Sequence, residues 1–206
     1  VCVYTLMLLD GTEFQDPEYR AKFGIKGKFR IVPLNFGEYE GQRVLDYEEV
    51  GVETKDLSFD DYLYVRGMAL IVEALHNGRP FEAMFRFALS MGIGRAQLLY
   101  RIYDSLGQAP EEVQAVLRGF LEETQSELWD SEEEMLAYYR EEANYQRLAR
   151  GEVGGNLIYK YKAMSLAHTA EAWVGVLASV CKGIAQEKLA SGEALENSAR
   201  QIDVLV

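Results

Sequence analysis

From residue 58 to the end of the chain, apolar side chains recur every three or four positions, which is the spacing of an amphipathic α-helix. Glycines close these segments. Ser58 and Ser131 are good N-caps, each followed three residues later by an acidic residue. Six such segments predict a mainly α fold, a bundle of about six helices. The first helix has the densest stripe: Tyr64, Val65, Met68, Ile71, Val72 and Leu75.

Residues 1–57 differ from the rest because they carry strand signals and many glycines. We expect a small α/β region with two or three short strands here, followed by a helical domain over residues 58–206. A short helix is predicted from Pro17, with Asp16 as its N-cap.

Two internal strands are predicted in this first region. One covers residues 29–32 and is ended by Pro33. The other covers residues 44–54, and its apolar alternation changes parity partway along. A change of parity indicates a bulge, which we place near Glu48 and Glu49.

The chain opens on a run of apolar and β-branched residues, Val1 to Leu9, and a Gly turn follows. Such a run is typical of a strand buried on both faces. That strand needs a neighbour on each side, and no second run like it occurs later. We therefore expect a piece of a larger protein, and an unpaired strand edge would favour a homodimer.

The net charge of −12 argues against a nucleic-acid partner and against anionic membrane surfaces, since both need clustered Lys and Arg. The longest uncharged runs are too short to span a bilayer. Only Cys2 and Cys181 are present, far apart in sequence, so a disulfide framework is not expected and a reducing cytoplasm fits.

Metal and nucleophile chemistry has little support in the sequence. His76 and His168 stand apart from any cysteine, and we interpret both as structural. We predict no metal site. Without a cysteine cluster, these residues cannot hold an iron–sulfur cluster by themselves.

The first region offers better candidates for a site. Glu13 directly follows the end of the opening strand, where parallel α/β sheets place ligands. Glu48 and Glu49 are adjacent, so alternation sends them to opposite faces and they do not form an acid/base pair. Arg30 and Arg66 can each pair with one of these acids. The four residues contact a substrate or another domain, or they satisfy charge at a domain boundary.

A resemblance to a known family begins at the end of the opening strand. Leu8-Leu9-Asp10-Gly11-Thr12-Glu13, followed by Asp16-Pro17-Glu18-Tyr19-Arg20, is similar to the end of the catalytic core in radical S-adenosylmethionine (radical SAM) enzymes with a cobalamin-binding domain. Asp10 stands where that family usually has Pro, and the three-cysteine motif and the cobalamin domain are missing from this chain. The similarity continues through residues 29–33, 35–39, 47–54 and 57–63, and through Arg66.

The resemblance implies that the chain is the last core strand plus a C-terminal helical extension, which encloses or supports the active site. Thr12 and Glu13 would line the mouth of the cofactor or substrate site. An upstream catalytic domain of the same polypeptide would hold the iron–sulfur cluster and S-adenosylmethionine, with cobalamin as a further cofactor. These 206 residues would hold no cofactor themselves. One alternative is a stand-alone helical interaction module with aromatic faces around Tyr138, Tyr139 and Tyr145. Another is a small-molecule sensor that uses a pocket between the helices.

Overall fold

The computed structural model describes residues 1–189 and 192–205. The fold is mainly α with a small three-stranded antiparallel sheet near its start, which confirms the predicted class. The strands are β1 (Leu6–Met7), β2 (Lys26–Tyr39) and β3 (Gln42–Glu53). The helices of the described part are α1 (Pro17–Phe23), α2 (Phe59–Ile71), α3 (Glu82–Ser90), α4 (Arg95–Ser105), α5 (Glu111–Ser126), α6 (Glu132–Arg140), α7 (Glu142–Ala149), α8 (Leu157–His168), α9 (Ala170–Lys188) and α10 (Gly192–Leu205).

There are more helices than the six predicted segments and the predicted short helix at Pro17, because two of the segments are broken and because α10 forms where no helix is predicted. Between α6 and α7, Glu141 is extended, and Asn144 donates to the carbonyl of Tyr138 at 3.0 Å in place of a helical hydrogen bond. Between α8 and α9, the hydroxyl of Thr169 donates to the carbonyl of Ser165 at 3.1 Å. None of the helices in residues 1–189 and 192–205 has the length and apolar character needed to cross a bilayer.

The chain divides into two compact units. The helical unit comprises Val1–Cys2, Gly67–Gly119 and Tyr161–Val206, and the sheet unit comprises Val3–Arg66 and Phe120–Lys160. In the helical unit, α9 packs against α3, α4 and α10. The residues of α9 that are almost fully buried in this core are Trp173, Leu177, Cys181 and Ile184.

Within the helical unit, an ion pair joins the start of α3 to the start of α4. Arg95 donates to the carboxylate of Glu82 at 2.6 and 3.0 Å, and this hydrogen bonding lowers the pKa of Glu82 from 4.5 to about 2. A carboxyl with a lowered pKa stabilises the fold at neutral pH, and its contribution is lost as the pH falls through that lowered value.

We expect the Glu82→Gln variant to lose less stability than the wild type when the pH falls from 4.5 towards 2. Urea unfolding of both proteins at a series of pH values measures this difference. Equal acid sensitivity in the two proteins would contradict the assignment of this pair.

The sheet unit is organised around β3, which lies between β1 and β2 in the antiparallel sheet. The pairing of β2 with β3 sets Arg30 opposite Glu48. One apolar cluster of this unit lies around Val50, Val52 and Tyr62. Another contains Ile31, Leu45, Met135, Tyr139, Tyr145 and Leu148.

Two predictions about these strands are wrong. Pro33 does not end a strand, since β2 continues to Tyr39. One irregularity lies in β2 between Ile31 and Phe36, and a second register shift between Lys26 and Gly27 passes over Val52 of β3, so neither falls at Glu48 and Glu49. Proline has no amide hydrogen for the ladder, so the pairing is interrupted around Pro33.

The prediction for the opening run, a strand buried on both faces, is also wrong. Only Leu6 and Met7 form a strand, and β1 lies at an edge of the sheet with β3 as its single neighbour among the described residues. Tyr4 is 85 % exposed and Leu9 is 53 % exposed, whereas Leu8 is buried. The apolar character of the run is therefore not matched by burial within the described residues.

Exposed apolar strand edges tend to pair with other chains, so we expect the isolated chain to self-associate through β1. Leu6→Lys places a charge on this edge and is expected to reduce the apparent mass in concentration-dependent light scattering. Val44→Lys, at another exposed apolar position of the sheet, is the matched control and is expected to behave as the wild type. A wild type that is monomeric at every concentration would contradict this expectation.

Candidate functional site

Three of the six candidate residues, Arg30, Glu48 and Glu49, lie in two charged networks that share β3. Because side chains alternate along a strand, the adjacent Glu48 and Glu49 are directed to opposite faces. Glu48 accepts from Arg30 at 2.7 Å, and Glu49 accepts from the two terminal nitrogens of Arg20 at 2.8 and 2.6 Å. The predicted pairing of Arg30 with one of the acids is confirmed.

The first network joins β2, β3 and the residues that follow α5. The guanidinium of Arg30 donates to Glu48 and, through Nη1, to Glu127 at 2.8 Å. The three side chains are only 15–17 % exposed. Burial disfavours the charge on Arg30, but the attraction of Glu127 and Glu48 outweighs it and raises the pKa of Arg30.

The carboxyl of Glu127 titrates differently from a surface acid. Burial raises its pKa, although Arg30 opposes the effect. The folded state therefore holds this proton more tightly than the unfolded state. As a result, the contribution of Glu127 to stability declines as the pH rises from the ordinary value through the raised one.

Arg66 and Tyr62 belong to the same buried cluster and lie one turn apart on α2. The salt bridge expected for Arg66 does not form within the described part of the chain. Its guanidinium lies over the ring of Phe120, with Cζ 5.4 Å from the ring centroid. Burial lowers the pKa of Arg66 and raises that of Tyr62, so the phenol remains protonated.

The second network anchors the loop after β1. Gln15 donates to the carbonyl of Leu8 at 2.7 Å and to Glu49 at 3.3 Å. Arg20 donates to the carbonyl of Phe14 as well as to Glu49. The guanidinium of Arg20 and both carboxylate oxygens of Glu49 therefore hold the loop backbone in place.

Gly27 makes room for this second network. A Cβ at Gly27 would lie 2.7 Å from Cδ of Glu49, which is closer than real Cβ contacts allow. The carboxylate of Glu49 therefore lies directly over the backbone of β2, and this placement requires a glycine.

Thr12 and Glu13 lie on the anchored loop, and both are exposed. The hydroxyl of Thr12 donates to the carbonyl of Leu9 at 2.6 Å, so it can still accept a hydrogen bond. Glu13 forms no salt bridge with any residue in the described ranges. The structure does not bring these two residues into the Arg30 network.

Sequence reasoning missed Arg20, Gln15, Glu127 and Tyr62. Arg20 and Gln15 follow the strand-end motif closely in sequence, and this proximity could have identified them as residues that contact the loop. Glu127 is 97 positions from its partner Arg30, and no pattern links the two in a single sequence.

Two of the three tyrosines proposed for an interaction surface lie in a core. Tyr139 and Tyr145 are buried in the cluster with Met135 and Leu148. Tyr138 packs against Trp129 with ring centroids 5.1 Å apart. Tyr139 and Tyr145 therefore offer little surface to a partner, whereas Tyr138 is half-buried.

No protein-family model matches the chain, and the comparison with curated proteins gives no match. Cys2 is exposed and Cys181 is buried, and within residues 1–189 and 192–205 no three His, Cys, Asp or Glu side chains form a group able to hold a metal. The described residues therefore do not fit an iron–sulfur cluster. Two places in the sheet unit offer hydrogen-bonding groups to a ligand. One is the exposed loop with Thr12 and Glu13, and the other is the buried cluster with Arg66.

Proposed function

We propose that this chain is the C-terminal part of a radical SAM enzyme of the cobalamin-binding type. In that enzyme it encloses or supports the active site and does not supply the iron–sulfur cluster. The resemblance over the first third of the chain supports the proposal. The observation that carries it is the one-sided pairing of β1 combined with its exposed apolar side chains.

The open edge of β1 has the properties of a strand that joins a larger sheet. Leu8 donates its amide to the carbonyl of Glu49 at 2.9 Å, so Leu8 faces β3. Alternation in an antiparallel ladder then directs the amide of Met7 to the open side. A strand of the catalytic core can accept that hydrogen bond and cover the side chains of Tyr4, Leu6 and Leu9.

The anchored loop supports a role at the mouth of the active site. In our proposal, Glu13 accepts hydrogen bonds from a hydroxyl or ammonium group of cofactor or substrate, and Thr12 is a second acceptor. The Arg20–Glu49 pair acts only through the loop, so both are positioning residues. S-adenosylmethionine carries both a ribose hydroxyl pair and an ammonium group, which fits these acceptors.

The coding sequence upstream of Val1 gives the first test. We expect the reading frame to continue through a Cys-x-x-x-Cys-x-x-Cys motif, which would hold the cluster. A start codon immediately before Val1 would contradict the proposal and would favour the stand-alone helical module.

A second test uses the full-length polypeptide, purified without oxygen and with its cluster reconstituted. We expect Leu6→Lys to reduce the formation of 5′-deoxyadenosine from S-adenosylmethionine by at least tenfold, because a charge on the edge prevents strand pairing. Val44→Lys is the matched control and should retain the wild-type rate. Equal rates in all three proteins would contradict a supporting role for β1.

A further inference from the structure

Arg66 is a buried guanidinium whose donors have no acceptor in the described chain. It is 9 % exposed, its Nε is fully buried without a partner, and it makes no hydrogen bond or salt bridge with any described residue. Tyr62, one helical turn away and 6 % exposed, has a buried hydroxyl that is likewise unpartnered. Burying such groups without partners is costly, so an acceptor beside Nε of Arg66 and the hydroxyl of Tyr62 would stabilise the fold.

The contact with Phe120 does not satisfy Arg66. A guanidinium over an aromatic ring uses its face, whereas its N–H groups donate in its own plane. The in-plane N–H groups of the Arg66 guanidinium therefore remain available to an acceptor with two oxygens, such as a carboxylate. The hydroxyl of Tyr62 adds one more donor on the same side of α2.

The neighbouring acids do not accept hydrogen bonds from Arg66. Glu48 and Glu127 both accept from Arg30 at 2.7–2.8 Å, and neither lies within salt-bridge distance of Arg66. Their negative charges remain close enough to repel a dianion such as phosphate. A singly charged ligand balances Arg66 with less repulsion.

We propose that Arg66 and Tyr62 bind the carboxylate group of a small, singly charged ligand. Arg66 donates through its planar edge, Tyr62 donates through its hydroxyl, and Phe120 covers one face of the guanidinium. This inference does not depend on the proposed radical SAM function, because every residue in it belongs to the sheet unit of this chain.

The Nε–H signal of Arg66 in a ¹⁵N NMR spectrum of the 206-residue chain tests the proposal directly. Sodium acetate is titrated against sodium chloride and sodium phosphate at constant ionic strength. We expect a saturable shift of the Arg66 signal with acetate alone. At about ten times the dissociation constant, acetate should also raise Tm by about 3–6 °C.

Variants identify the site. Arg66→Met should abolish the rise in Tm, Tyr62→Phe should weaken acetate binding about fivefold or more, and Arg86→Met, at an exposed arginine, should leave it unchanged. The proposal is overturned if the Arg66 signal does not move with acetate, if chloride or phosphate moves it equally, or if Arg66→Met keeps the full response. The NMR titration of the wild type decides the matter even if a variant fails to fold.

Discussion

Arg30→Met is expected to lower the free energy of unfolding at pH 7 by about 3 kcal/mol, at the lower end of what removing one partner of a buried ion pair costs. Glu48 and Glu127 would each lose their hydrogen-bonded cation while remaining mostly buried. The loss comes mainly from these two uncompensated carboxylates and not from the missing side-chain volume. Methionine keeps much of that volume.

The pH dependence separates this explanation from simple loss of packing. Without Arg30, nothing opposes the effect of burial on Glu127, so the pKa of Glu127 should rise further and this carboxyl binds a proton as the pH falls. The difference between Arg30→Met and the wild type should therefore shrink between pH 7 and about pH 4.5. Urea unfolding at several pH values measures it, and Arg30→Met combined with Glu48→Gln and Glu127→Gln should recover most of the stability. A loss that does not change with pH would contradict the account.

Gly27→Ala is expected to lower the free energy of unfolding by about 2 kcal/mol, the range for hydrogen bonds to charged groups. The added methyl group meets the carboxylate of Glu49, which must leave Arg20. The loop with Thr12 and Glu13 then loses its anchor.

A double-mutant cycle tests this cause. In the Glu49→Ala background the carboxylate is absent, so Gly27→Ala should cost less than about 0.5 kcal/mol. Gly27→Ala should also accelerate amide exchange in the loop of residues 11–15. Additive effects of the two substitutions would show that Gly27 is needed for another reason.

The fold class was predictable because helical spacing is local information. The N-caps show this well: the hydroxyls of Ser58 and Ser131 accept from the amides of Asp61 and Glu134 at 3.2 Å. The breaks near Glu141 and Thr169 were missed because apolar spacing continues across them. Their backbone geometry depends on individual hydrogen bonds that spacing does not encode.

The site was only partly predictable. The opposite faces of Glu48 and Glu49 follow from alternation, and the Arg30 pairing follows from matching charges on neighbouring strands. The environment of Arg66 could not be predicted from the sequence, because it depends on Phe120 and Glu127, which are distant in sequence. The burial of the opening run is lower than predicted, because apolar composition alone does not determine burial.

In the proposed enzyme, β1 pairs on its open side with a strand of the catalytic domain. The amide exchange rate of Met7 tests this pairing when it is measured in the 206-residue chain under monomeric conditions and in the full-length polypeptide. We predict rapid exchange in the former and exchange slowed by at least about a hundredfold in the latter, since a hydrogen-bonded strand amide exchanges only on opening. Equally rapid exchange in both proteins would contradict the claim.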